Sequence, residues 1–147
     1  MTHLIDTSVW HRYARSSAVQ EVIDRLVSQG ALLTTCPVVR AEYCFSARDS
    51  SELAELHSDM DLLYLLESSD LTARVQQIQS ALWSTGRVRA AGAADTLIAA
   101  YALHHRQTIV TCDRDYVHIA RALDTSQATE SLRVIHVAEP LMTAGTE

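Results

Sequence analysis

Five short apolar runs recur along this chain, separated by stretches whose apolar residues fall at helical spacing. The first is Leu4-Ile5, and the others occupy residues 31–35, 62–66, 108–112 and 133–137. Runs this short, with little polar alternation, suit strands covered on both faces. Strands that alternate with helices build a parallel sheet with helices on either side, so an α/β fold is expected. At 147 residues, 48% of them hydrophobic, the chain suits one packed domain spanning residues 1–147.

The stretches between the runs carry their own punctuation. Ser17 to Gln29 places Val19, Val22, Ile23, Leu26 and Val27 at helical spacing, and Gly30 stops it. Pro37 suits the first turn of a helix that sets Val38, Glu42 and Phe45 on one face. Asp49-Ser50-Ser51-Glu52 resembles a capping box, opening a helix with Leu53, Leu56 and Met60 inward. Ser68 or Ser69 can cap a helix carrying Leu71, Val75, Ile78 and Leu82, which stops near Gly86. Residues 87–92 read as a loop, 93–105 as a helix with Asp95, Ile98 and Ala102 on one stripe, and 116–122 as a short helix. From Pro140 onward the chain reads as a loose tail.

Two of the apolar runs end in acid. Asp6, followed by Thr7-Ser8, closes the first, and Asp113-Arg114-Asp115 closes the fourth. In open α/β sheets ligands bind outside the carboxyl ends of the strands, where the strand order reverses. Neighbouring first and fourth strands would bring both carboxylates to one crevice. Each acid has an ordinary reading as well. Asp6 can cap a helix, Asp95 can favour a helix N-terminus, and Asp113 and Asp115 can shape a turn. Glu42, among apolar neighbours in mid-helix, would need a buried partner, for which an Arg is the simplest choice. Clustered together, the acids would repel one another unless a cation lay between them. Oxygen ligands select hard cations, Mg²⁺ or Mn²⁺. Hydrated Mg²⁺ in such a crevice can activate water against a phosphodiester.

Composition narrows the chemistry further. The net charge is −6, yet without Asp6, Glu42, Asp95, Asp113 and Asp115 the remaining 13 acids nearly balance 12 arginines. There is no lysine, which excludes a Walker-type phosphate loop and Schiff-base catalysis. Three cysteines without C-x-x-C spacing read as reduced thiols. No apolar run nears the roughly 20 residues that span a bilayer, and no secretory signal is visible, so a cytoplasmic protein is expected.

Four pieces in order, Leu4-Ile5-Asp6-Thr7-Ser8, Val38-Val39-Arg40-Ala41-Glu42, Ala94-Asp95-Thr96-Leu97-Ile98-Ala99-Ala100 and Val110-Thr111-Cys112-Asp113-Arg114-Asp115-Tyr116, resemble the PIN-domain family of metal-dependent ribonucleases. Within it they are most similar to the VapC toxins of bacterial toxin–antitoxin pairs. The resemblance implies a central parallel sheet of four to five strands ordered 3-2-1-4-5. It implies that Asp6, Glu42, Asp95 and Asp113 are catalytic and bind Mg²⁺ (Mn²⁺ being possible), with Asp115 a further metal ligand. Ser8 and Thr111 would orient carboxylates. An Ala91-Gly92 pair departs from the family's usual pattern before Asp95.

The implied substrate is RNA, in loops of tRNA or ribosomal RNA, whose cleavage arrests translation and growth. Arg12, Arg15, Arg40, Arg87, Arg89 and Arg114 are candidate phosphate contacts, and Trp10, Tyr13 and Trp83 candidate stacking platforms. A homodimer and a VapB-type antitoxin are the implied partners. The antitoxin's tail would lie near the acids, against helices at residues 17–29 and 50–60. Two alternatives belong to other classes: a non-catalytic PIN scaffold binding RNA or protein, and a different metal-dependent phosphohydrolase suggested by Asp113-Arg114-Asp115. The latter normally places that motif at its first strand and adds a Lys, and this chain does neither.

Overall fold

The computed structural model describes residues 1–68 and 70–138. Five strands form one parallel sheet: β1 (Thr2–Ile5), β2 (Leu32–Thr35), β3 (Tyr64–Leu65), β4 (Thr108–Thr111) and β5 (Val134–His136). Their order is β3-β2-β1-β4-β5, as the resemblance implies. Seven helices connect and cover them: α1 (Thr7–Tyr13), α2 (Ser17–Ser28), α3 (Pro37–Phe45), α4 (Ser50–Asp61), α5 (Thr72–Ser84), α6 (Ala93–His105) and α7 (Asp115–Thr125).

The central strands are apolar because both their faces are covered. Leu4 and Ile109, paired in register, point into a core built with Ile78, Leu82, Ile98 and Leu123 from α5, α6 and α7. Ile5 and Val110, the next pair, point the opposite way, onto Val9 of α1 and Val19, Ile23 and Leu26 of α2. Successive strand side chains alternate faces, so every residue here has a helix to meet. Leu4, Ile5, Ile109 and Val110 are fully buried, each contributing about 1.5–3 kcal/mol.

The edge departs from expectation. Residues 62–66 suggested a strand buried on both sides, but β3 is two residues long, and Leu62 and Tyr64 are 87% and 61% exposed. Only Leu66 turns into the core. A strand at the edge of a sheet lacks the second neighbour that would enclose it. Along α4 only Met60 is buried, whereas Leu53 faces solvent and Leu56 is half-buried. Asp49 does cap that helix, accepting from Glu52 N–H at 2.8 Å. The Glu52 carboxylate turns instead to Arg48, at 2.9 Å, so the box is not reciprocal. The start of α5 is set by Asp70, which accepts from Thr72 N–H, and not by Ser68. Ser69 and the tail from Pro140 lie outside the described residues.

Candidate metal centre

The switch point of the sheet lies between β1 and β4, whose chains leave for opposite sides. Asp6 stands there, one residue past β1, with its N–H still paired to Val110 carbonyl at 2.9 Å. It caps α1 as well. Its carboxylate is buried at 3% exposure and held on both oxygens. Ser8 Oγ and Thr111 Oγ1 donate to Oδ2 at 2.7 and 3.0 Å, and the Tyr116 hydroxyl reaches Oδ1 at 2.9 Å. The two hydroxyls also receive main-chain donors. Cys112 N–H reaches Ser8 Oγ at 3.0 Å and Asp113 N–H reaches Thr111 Oγ1 at 3.0 Å. The turn after β4 is thereby fastened to the turn after β1.

Three other acids face the same crevice, of about 360 Å³, which Asp6, Thr7, Ser8, His11, Arg12, Glu42, Asp95 and Asp113 line. Glu42 comes from α3, Asp95 from the first turn of α6, and Asp113 from the loop after β4. Asp115, at the start of α7, stands against Asp95. Among the described residues no three of these groups stand close enough to grip one ion directly as placed.

Glu42 corrects the sequence reading. It stands exposed at the rim, not among apolar neighbours, and Phe45 on the same helix is 92% exposed. Its partner is a hydroxyl: Thr7 Oγ1 donates to Oε1 at 3.2 Å. A rim position leaves water to solvate the charge, so no buried arginine is required.

Burial and mutual repulsion push these carboxyls the same way. Asp95 is raised to about 7, chiefly by desolvation and then by Asp115 and Asp6. Glu42 and Asp113 are raised too, by desolvation first and then by Asp6. Arg12 and His11 oppose this, at Asp113 and Glu42 respectively. Asp6 is therefore the one negative charge that the other three all feel.

Tyr116 was not among the residues that sequence reasoning picked out. It is fully buried, and its hydroxyl lies 2.9 Å from Asp6 Oδ1 and 3.1 Å from Asp95 Oδ1. A phenol has one proton to give. The second carboxyl must bring its own proton or meet a cation, which is the direction in which Asp95 is pushed. The signal was a Tyr at a buried position where Phe would pack as well, because a buried phenol needs a partner.

The arginines scatter. Arg12 lines the crevice and donates to Ser8 carbonyl at 3.0 Å. Arg40 pairs with Asp61 at 2.6 Å. Arg87 and Arg89 lie in the turn after α5, and Arg114 and Arg15 are exposed. Trp10 and Tyr13 pack against the core under α1 and α2, and exposed Trp83 lies on α5 away from the acids, so none of the three lines the crevice. Of the helices suggested to wall an antitoxin groove, residues 50–60 lend Ser50 and Leu53 to a hollow outside the crevice, and residues 17–29 do not line it. The hollow, of about 510 Å³, opens between α3 and α4, with Ala41, Cys44, Phe45 and Leu53 on its apolar wall and Arg48, Asp49 and Ser50 on its polar one.

The PIN domain family profile matches residues 3–122. The chain belongs to the PIN-domain family. This PIN domain is 32% identical over 121 residues to Ribonuclease VapC21 of Mycobacterium tuberculosis, covering 80% of the chain and 86% of that protein. It is 31% identical over 103 residues to Ribonuclease VapC17 of the same species, covering 69% and 77%. Its fold resembles that of VapBC-1 from nontypeable Haemophilus influenzae, with a TM-score of 0.70 at 17% identity over 92% of this chain and 98% of that one. No helix among the described residues is long and apolar enough to cross a membrane.

Proposed function

We propose that this PIN domain is a Mg²⁺-dependent endoribonuclease, the toxin of a type II toxin–antitoxin pair, cutting loops of tRNA or ribosomal RNA and so arresting translation. One observation carries the reading: Asp6, pinned by three hydroxyls, shares one crevice with Glu42, Asp95 and Asp113, which come from three other parts of the chain. A bound cation would offset the repulsion among these carboxylates when all are ionised. The kinship with proteins named Ribonuclease VapC21 and VapC17 supports the same reading.

The donor set fits a hard ion. Mg²⁺ keeps several waters and takes only one or two carboxylates directly, so a close pair with outlying acids suits it better than a tight cage. Asp6 and Asp95, joined through Tyr116, would form that pair, and Glu42 and Asp113 would act through water from either side. When bound, the ion supplies charge stabilisation on phosphorus and a reactive water at neutral pH. Ser8 and Thr111 keep Asp6 from rotating, and Arg12 offers positive charge to the phosphate. A VapB-type antitoxin is the partner this reading calls for, and the hollow between α3 and α4 offers it a seat of mixed apolar and polar lining.

The test is to incubate the purified chain with total RNA and sequence the new ends. Attack by water leaves a 5′-phosphate and a 3′-hydroxyl, and EDTA should stop it. Cyclic phosphate ends would overturn the mechanism. Tyr116→Phe, which keeps the ring and removes the hydroxyl, is expected to weaken Mg²⁺ binding about tenfold, read by calorimetry.

A further inference from the structure

The crevice carries on its lining one aromatic ring, His11, that phosphodiester chemistry does not use. His11 on α1 lines it beside Glu42, and its exposed ring stacks on Tyr43 of α3 with centroids 5.8 Å apart and planes 30° from parallel. Tyr43 is braced from behind, since its hydroxyl donates to Asp59 of α4 at 3.3 Å. The stack therefore joins two helices and is backed by a third.

Its position relative to the acids is set by α1. Thr7, bonded to Glu42, and His11 are one helical turn apart, about 6 Å of rise. That matches the reach from a phosphate at the acids, across its ribose, to its own base. We propose that His11, backed by Tyr43, is the platform on which an unpaired nucleobase stacks next to the phosphate that is cut. The subsite rests on the nuclease reading for its phosphate, but its ligand is a base, recognised by its flat face. Stacking on an aromatic ring is sequence-tolerant, and truncating the ring costs about 5- to 100-fold in affinity.

The binding test needs no turnover. A short single-stranded RNA carrying 2-aminopurine, added with Mg²⁺ to the full-length Asp95→Asn chain, should bind with quenched fluorescence. Adding His11→Ala should abolish the quench and weaken binding about tenfold, whereas adding His11→Phe, which stacks but carries no proton, should restore both. In the active chain His11→Ala should raise KM about tenfold and leave kcat within about twofold. Unchanged binding in His11→Ala, or a His11→Phe as poor as Ala, overturns the platform and leaves the nuclease reading standing. Quenching by a chain whose wild type cuts no RNA overturns the nuclease and keeps the platform. A chain that neither binds nor cuts RNA removes both.

Discussion

Replacing Asp95 by Asn is expected to lower RNA cleavage on the order of 10³-fold, since a catalytic metal supplies several kcal/mol to the transition state. The fold should survive. Asp95 sits in the first turn of α6, where Asn keeps the shape and loses only the charge, and the residues after it, from Thr96 to Leu103, are mostly buried apolar. The same is expected of Asp6→Asn, with a larger structural cost because three hydroxyls are arranged around that carboxylate. Asp115→Asn serves as the contrast. Asp115 does not line the crevice, so this variant should keep at least about a tenth of the wild-type rate. Initial rates on one RNA substrate at saturating Mg²⁺ separate these cases. If Asp95→Asn cuts at the wild-type rate, the crevice is not the active site.

The second large effect is on stability, and its sign runs against the usual carboxylate. A salt-bridged Asp loses its contribution as pH falls. Asp95 is raised from 3.8 to about 7, so the folded chain holds that proton more tightly than the unfolded one. Metal-free protein should therefore lose stability as pH rises from about 4 to about 7, with the loss complete above that window. The group is only about half-buried, so solvent screening reduces the effect to on the order of 1–2 kcal/mol, or about 3–8 °C in Tm. Two measurements isolate it. Asp95→Asn should match wild type near pH 4 and melt several degrees higher at pH 8. Mg²⁺ should raise the wild-type Tm more at pH 8 than at pH 5, because the cation competes with the proton for the same oxygens. A wild-type and Asn pair whose melting curves stay parallel across this range would count against the repulsion.

The parts of this molecule legible in its sequence are those where one pattern had one physical cause. Leu4-Ile5 and the run at 108–112 read as central strands because both faces of the sheet are covered there, so no charged residue interrupts them. Asp6 and Asp113 stood out because a carboxylate that ends an apolar strand is abrupt. The run at 62–66 misled for the converse reason. It is equally apolar, but its apolar residues stand at an edge and beside a helix that buries little. Glu42 misled likewise, since Val38 packs against the core while Phe45, one turn beyond Glu42, stands open to solvent. Tyr116 gave only the weak signal of a phenol where Phe would pack, and His11 gave none. Their importance comes from what lies across the crevice, on elements up to 110 residues away in the chain.

The order of the strands also dictates when this crevice can exist. Its central strand is the first made, yet the hydroxyl of Thr111 that steadies Asp6 is encoded 105 residues later. A ribosome adding about 5–20 residues per second needs about 5–20 s to cover that distance. Until β4 has emerged and paired with β1, Asp6 has neither Thr111 nor Tyr116 to hold it, and Asp113 is not yet in place. Products that stop short of β4 should thus lack the assembled crevice, and with it any activity that depends on these four acids.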